Sequence, residues 1–399
     1  MTHRPGLLLS AVLTVTVPGV LAVLAVLGHD HAIGEAPEVA AVGDTVALSG
    51  PFPVASAKTH TAVRNAVAWV QRVSGAPVTV LSGLTSGQEI LGMRLLGKAA
   101  QAGQQTSYQG VESMSESAVD GTVSTSISAV WHRGGGQTLV QTGSAVYYDT
   151  DRRDPEGVFG LTRALVAQLG KHYVAAYAGT GPCLGRTAVI VAVYRFDGSL
   201  AARYWLDQHT LMPLRRELYD ASDRVVSEDA FVKVRFGPAP APAAAAADAK
   251  QQAGPAWVAA ASPPSVVATL SAEGWRLPQA LPGGLPLYAA AWRGSGTGQV
   301  VDLEYSDGLY VVSLFLQHGA LAAQMPGWRP ILLDGRQVFV SGHSLTWAGS
   351  GGVYTLIADA PPQTVTQAVA ALPRDAPQGI FARMGHGLER LAQLVNPFG

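Results

Sequence analysis

The sequence predicts an α+β chain in which two antiparallel β domains, joined by a linker, follow an apolar N-terminal segment. Three observations lead there. Apolar and polar residues alternate with period two over short stretches separated by glycine-rich turns, the pattern of antiparallel strands. A Pro/Ala-rich stretch at 237–264 breaks that pattern and marks a boundary. Of the 399 residues, 48% are hydrophobic and 14% charged, which supplies apolar surface for two cores. The formal net charge of −1, from 27 Lys+Arg and 28 Asp+Glu, excludes a dedicated nucleic-acid binder, which needs a basic excess. The single cysteine, Cys183, excludes an intramolecular disulfide and a Cys-based zinc site.

Residues 1–28 come first. The run 7–27 (LLLSAVLTVTVPGVLAVLAVL) carries no charge. As a helix rising about 1.5 Å per residue it would cross a bilayer core of about 30 Å. It is longer than the ~7–15 apolar residues of a secretory signal. No small-x-small cleavage site follows Leu27, so a retained transmembrane helix is favoured over a cleaved signal. Arg4 precedes it, and Asp30, Glu35 and Glu38 follow. The positive-inside rule then puts residues 29–399 outside the cytoplasm, anchored to the cell membrane or, after cleavage, secreted or periplasmic.

Residues 29–85 read as a spacer with a short helix at 59–73, where Val63, Val67, Val70 and Val73 share a face. The first β domain covers 86–236. It opens with a helix from Gln88 to Ala102, with Ile90, Leu91, Leu95 and Leu96 inward. Residues 121–132 alternate, with Val123, Ile127, Ala129 and Trp131 on one side and Ser124, Ser126, Ser128 and His132 on a wetter one. Gly134-Gly135-Gly136 turns the chain into 137–148, and Val158, Leu161, Leu165, Val166 and Leu169 predict a helix over 157–169. Four or five strands fill 171–235, with Asp197-Gly198 as a hairpin turn. Strand 187–196 is apolar on both faces and requires cover on both, from helices, a second sheet or an apolar ligand.

The linker 237–264 reads as semi-extended. The second β domain, 265–372, contains a hairpin in which Asp307-Gly308 joins GQVVDLEYS to LYVVSLFLQ, and strands at 336–341, 344–348 and 352–358. In the tail, 373–399, Ile380, Phe381, Met384, Leu388, Leu391 and Leu394 form the apolar stripe of an amphipathic helix.

No catalytic motif is complete. Gly342-His343-Ser344-Leu345-Thr346 lacks the last glycine of a nucleophile elbow. Gly294-Ser295-Gly296-Thr297-Gly298 lacks the end of a dinucleotide fingerprint. Asp149-Thr150-Asp151 begins like a calcium loop, but Arg153 stands at a ligand position. His29-Asp30-His31 reads as a solvated cluster and Cys183 as an inert thiol. The expectation is a binding protein without cofactor or metal, and not an enzyme.

Several strings resemble the MucB/RseB family of sigma-E regulatory proteins: LLGKAAQAGQQTSYQGVE (95–112), DGSLAARYWLD (197–207), MPLRRELYDASDRVVSEDAFVKV (212–234), YSDGLYVVSLFL (305–316) and GRQVFVSGHSLTW (335–347). The resemblance covers roughly 86–372. It implies a LolA-like N-terminal domain, an open curved antiparallel sheet with helices plugging its concave side, followed by a smaller β-rich domain that contacts an anti-sigma factor. It also implies an extracytoplasmic sensor that binds the ectodomain of a single-pass anti-sigma factor until a lipid or lipoprotein displaces it, in control of an envelope-stress response. A LolA-like lipid or lipoprotein carrier is the alternative. On this reading Trp131, Val189, Val191, Val193 and Tyr204 are candidates for an acyl-lipid cleft. Tyr305, Asp307, Leu309 and Tyr310 are candidates for the partner surface.

Overall fold

The computed structural model describes residues 12–17, 20–27, 85–143, 145–149, 158–238, 240–252, 257–321, 325, 327–349 and 352–373. Strands β1 (Val12–Val17) and β2 (Val20–Leu27) pair antiparallel, and β2 also pairs with Ala320 and Leu321. The helix expected over 7–27 is therefore replaced by strands in its described part. Val12, Thr14, Val15, Thr16 and Val17 in the first strand are mostly β-branched, which disfavours helix, and Pro18 interrupts one. No helix among the described residues is long and apolar enough to cross a membrane. The expected helices at 59–73 and in the 379–399 tail lie outside the described residues.

The first domain is a nine-stranded antiparallel sheet. Its strands are β3 (Tyr108–Ser117), β4 (Val123–His132), β5 (Thr138–Thr142), β6 (Ala145–Asp149), β7 (Val174–Cys183), β8 (Arg186–Tyr194), β9 (Leu200–Asp207), β10 (Pro213–Tyr219) and β11 (Val225–Phe236). The spatial order is β6-β5-β4-β3-β11-β10-β9-β8-β7, so the last strand pairs with the first and the sheet has two meanders sharing one seam. Direct antiparallel partners share a face. The register therefore lays Val191, Tyr204, Arg216, Asp229, Met114 and Ser126 in one row across the sheet.

Helix α1 (Ser86–Gln105) covers that face at the β7–β8 end. Thr85 caps it, accepting from Gln88 N while Gln88 Oε1 accepts from Thr85 N at 2.9 Å. The inward face differs from the expected one. Gly92, Leu96, Ala99, Ala100 and Gly103 are buried, whereas Ile90 is 60% exposed and Leu91 is also exposed. Small residues win because the helix backbone runs close to β7: a Cβ on Gly92 would lie 2.3 Å from Ala175 O. Helix α2 (Arg163–His172), capped by the Thr162 hydroxyl, shares a buried cluster with α1 through Val166 and Leu169. The expected helix at 157–169 thus starts later, after a single 3₁₀ turn at Val158–Gly160.

The linker also departs from expectation. Residues Ala243–Gln252 form helix α3, whose Ala245 and Ala249 pack on Leu139 and Val146, with Trp131 alongside. A run of alanines carries the highest helix propensity, and its small side chains let the helix lie close to β5 and β6.

The second domain opens with β12 (Val258–Ala259) and helix α4 (Pro263–Ala272). Then come β13 (Ala280–Leu281), β14 (Leu285–Arg293), β15 (Val300–Ser306), β16 (Val311–His318), β17 (Ala320–Leu321), β18 (Arg329–Leu333), β19 (Arg336–Ser341), β20 (Ser344–Gly349), β21 (Gly352–Asp359) and helix α5 (Pro362–Ala371). Its main sheet runs β12-β14-β15-β16-β21-β20-β19-β18. One face carries the row Leu303, Leu314, Leu356 and Leu345, in one buried cluster with Val267 and Leu270 of α4 and Val365, Ala368 and Val369 of α5. The opposite row, Ala289, Glu304, Ser313 and Ile357, faces the first domain.

The two domains meet through the β15–β16 loop. The strands end at Ser306 and resume at Val311, so Asp307–Tyr310 is a four-residue loop where a two-residue turn was expected. The Asp307 carboxylate accepts from Leu309 N and Tyr310 N, each at 2.9 Å, and from Tyr173 Oη at 2.6 Å. Arg195 donates to the Tyr310 hydroxyl at 2.7 Å, and that hydroxyl donates to Tyr219 O at 3.1 Å. Gly308, at φ +95°, sits directly against α2: a Cβ there would lie 2.0 Å from Leu169 N and 2.5 Å from Leu165 O.

Gly308→Ala is predicted to lower stability by about 2–4 kcal/mol, adding a backbone clash to left-handed strain. Gly335→Ala is the control: at φ +70° with nothing within 4 Å, it bears strain alone and should cost about 1 kcal/mol. Chemical denaturation of both variants checks this, and equal losses would show that the loop is not docked.

Candidate functional site

A cavity of about 370 Å³ lies between the domains. Its floor is the sheet face opposite the α1 end: Ser126, Ser128 and Val130 of β4, Glu112, Met114 and Glu116 of β3, Asp229 of β11 and Arg216 of β10. Ala289 and Ala290 of β14, Glu304 of β15, Ile357 and Asp359 of β21, and the segment 259–261 with Pro263 roof it from the second domain. Val158, Phe159 and Leu165 close one side.

Strand alternation explains this wall. The sequence separates Ser126 and Ser128 from Ile127, Ala129 and Trp131, and the serine face turns out to line the cavity. Trp131, expected in the lipid cleft, lies on the outer face beside α3. Val191, Val193 and Tyr204 are on the cavity side of the sheet, as expected of a concave face, but they are fully buried under the helices and do not reach the cavity. Val189 packs partly buried against the same cluster. The helices fill the space in which the sequence reading placed an acyl chain.

The partner candidates are also enclosed. Tyr305, Asp307, Leu309 and Tyr310 are all buried, with Asp307 only 3% exposed. Tyr305 faces its own domain, donating to Pro278 O at 2.9 Å. Asp307 and Tyr310 bind the first domain, as described above. Their polarity serves the contact between the two domains, a demand that hairpin periodicity alone does not reveal.

Charge concentrates in the cavity wall. Arg216 donates from Nε to Asp229 Oδ2 at 2.9 Å, and from Nη2 to Asp229 and, across the domain boundary, to Asp359. His343 Nδ1 lies 2.6 Å from Glu116 Oε2, a second contact between domains. Arg329 reaches Asp120 as a third, at the exposed rim. Burial, with the nearby Asp359 and Glu116 charges adding to it, pushes the Asp229 carboxyl up to about 7 against the pull of Arg216. The folded state therefore holds this proton more tightly than the unfolded chain. By linkage, this carboxyl favours folding less as pH rises from the ordinary carboxylate range through about 7. The Arg216 guanidinium is held well above its ordinary range by those carboxylates, despite burial.

The sequence reading missed these residues, but PLRRELY (213–219) holds a signal for them. Two adjacent arginines in a strand point to opposite faces, so one must enter the interior and find an acid.

The family model for the MucB/RseB N-terminal domain matches residues 111–253. No curated protein matches the chain. Among solved structures, the complex structure of Pseudomonas aeruginosa MucA/MucB shares 22% identity at a TM-score of 0.39, covering 71% of this chain and 99% of that one. A crystal structure of MucB shares 19% at 0.40, covering 71% and 98%. A LolA superfamily protein from Nitrosomonas europaea shares 12% at 0.18, covering 37% and 94%. At those TM-scores none of the overlays carries an argument, and the family match stands by itself. The matched span takes in most of β3, the strands to β11 and helix α3, so residues 111–253 match the MucB/RseB N-terminal domain.

Proposed function

We propose that this chain is an extracytoplasmic regulatory protein that binds the ectodomain of an anti-sigma factor and releases it when a lipid or lipoprotein occupies the interdomain cavity. The single observation behind this reading is that both domains wall one cavity and are tied across it by separable polar contacts, Arg216–Asp359 and Glu116–His343. A ligand that fits the closed and opened arrangements differently shifts the equilibrium between them, and a partner held by one arrangement feels that shift. The family match over residues 111–253 agrees with the partner class. With Tyr305, Asp307, Leu309 and Tyr310 enclosed, the partner surface moves to the exposed part of 265–372. There β18 ends the sheet as an edge strand whose Leu332 is 78% exposed, a template for an added strand.

Co-purification of the full chain from detergent-solubilised membranes is expected to recover a single-pass anti-sigma factor. Adding an acyl lipid should lower the recovered amount severalfold. Tight lipid binding with transfer between vesicles, and no anti-sigma factor, would make the protein a carrier.

The proposal also requires residues 29–399 to be extracytoplasmic, delivered by the apolar run 7–27. Protease added to intact spheroplasts should degrade the chain. Full protection there, with degradation only after lysis, would contradict the placement.

A further inference from the structure

Two polar contacts cross the domain boundary in the cavity wall, and both depend on a proton. In the first, a single nitrogen of Arg216, Nη2, donates to Oδ2 of Asp229 in its own sheet and to Oδ2 of Asp359 in the second domain. Two carboxylates on one guanidinium nitrogen lie close together, and like charges at that separation disfavour ionisation of both. The Oδ1 atom of each is buried without a hydrogen-bond partner among the described residues, so neither charge is fully compensated. Burial raises the Asp229 carboxyl to about 7 against the pull of Arg216, with the charges of Asp359 and Glu116 adding to the rise. The second contact places His343 Nδ1 2.6 Å from Glu116 Oε2. An imidazole is the positive half of an ion pair only while protonated, so this contact too weakens as pH rises. Facing these groups are Tyr204 and Glu112 from the first sheet and Glu304 and Tyr310 from the second domain. Glu112 and Glu304 have interactions of their own. With Asp229 and His343 protonated, two cations face two carboxylates across the boundary. With both protons gone, one cation faces three.

We propose that the joint between the domains is a proton-operated latch, closed while Asp229 and His343 carry their protons and loosened when both are lost. Opening takes Asp359 away from Asp229 and admits water to the cavity floor, so Asp229 gives up its proton more readily in the open arrangement. The closed arrangement binds the proton more tightly, and by linkage its advantage falls as pH rises through about 7 and levels off above it. For a carboxyl at about 7 when closed and in the ordinary carboxylate range when open, the open-to-closed ratio rises about tenfold between pH 6 and pH 8. The inference concerns the joint alone and stands whichever ligand or partner uses it.

The test reads opening by thiol labelling of the full chain in a neutral detergent. Ser313→Cys, in a Cys183→Ala background, puts a thiol on β16 at a cavity-lining position that is only 2% exposed. Dividing its labelling rate at each pH by that of a free cysteine peptide removes the pH dependence of the thiol itself. The ratio is expected to rise about tenfold between pH 6 and pH 8. Asp229→Asn should remove most of that rise. Asp359→Asn should shrink it as well, and it decides the matter if Asp229→Asn does not melt cooperatively. Ala368→Cys, fully buried on helix α5, should show no such rise, which separates opening from unfolding. A ratio that stays flat or falls over this range, a rise undiminished by Asp359→Asn, or an equal rise at Ala368→Cys overturns the proposal.

Discussion

The arrangement depends on one close approach, the Asp307-Gly308 loop against helix α2. Gly308 has no Cβ, so the loop backbone reaches Leu165 and Leu169, and Asp307 is carried to the hydroxyl of Tyr173. Once that contact is fixed, Tyr310 falls between Arg195 and Tyr219, and the second sheet is held with its Glu304 row over the floor of the first. The cavity follows from this geometry: helices fill one end of the first sheet, and the second domain roofs the other. An apolar side chain at 308 would separate the layers and leave Asp307, Arg195 and Arg216 short of partners.

The polar contacts between the domains suit a joint that opens. An apolar interface of this kind would be stabilised in proportion to the area removed from water. Buried ion pairs such as Arg216–Asp359 gain little net stability, because desolvation offsets much of the attraction, but they fix orientation and are lost together when the partners part. In the first sheet's row the charges are Arg216 and Asp229, flanked by Tyr204 and Met114, and in the second sheet's row Glu304 stands between Ala289 and Ser313. The apolar residues of the two sheets, Leu96, Val191 and Tyr204 of the first and Leu303, Leu314 and Leu356 of the second, belong to one buried cluster. The charge is concentrated in the wall of the cavity, at Arg216, Asp229, Asp359, Glu116 and His343.

Much of this was legible in the sequence, and the omissions share a cause. Strands whose period is local, such as 336–341 and 352–359, were read nearly residue for residue because alternation and glycine turns suffice to define them. The alternation of 121–132 also separated the right two faces, but their roles reversed. Ser126 and Ser128 look polar enough for solvent and instead line an enclosed space, while Trp131 is covered by a helix from the linker. Ile90 was placed inward by its hydrophobicity, yet the close approach of α1 to β7 selects Gly92 and Ala99. Asp307 and Tyr310 read as surface residues because nothing local records that another domain lies against them. The apolar run at 7–27 has the length of a membrane helix, and its valines and threonines fit the strand that forms over 12–17 equally well.

The central claim, that the domains are held in one arrangement around the cavity, is tested most directly by a distance distribution between them. Spin labels on cysteines introduced at Val123 of the first domain and Leu332 of the second, both exposed, in a Cys183→Ala background, supply the pair. Pulsed dipolar spectroscopy should give a single narrow distance, which broadens when Gly308→Ala is added. A broad distribution in the absence of that substitution would show two domains moving independently, and would contradict the account.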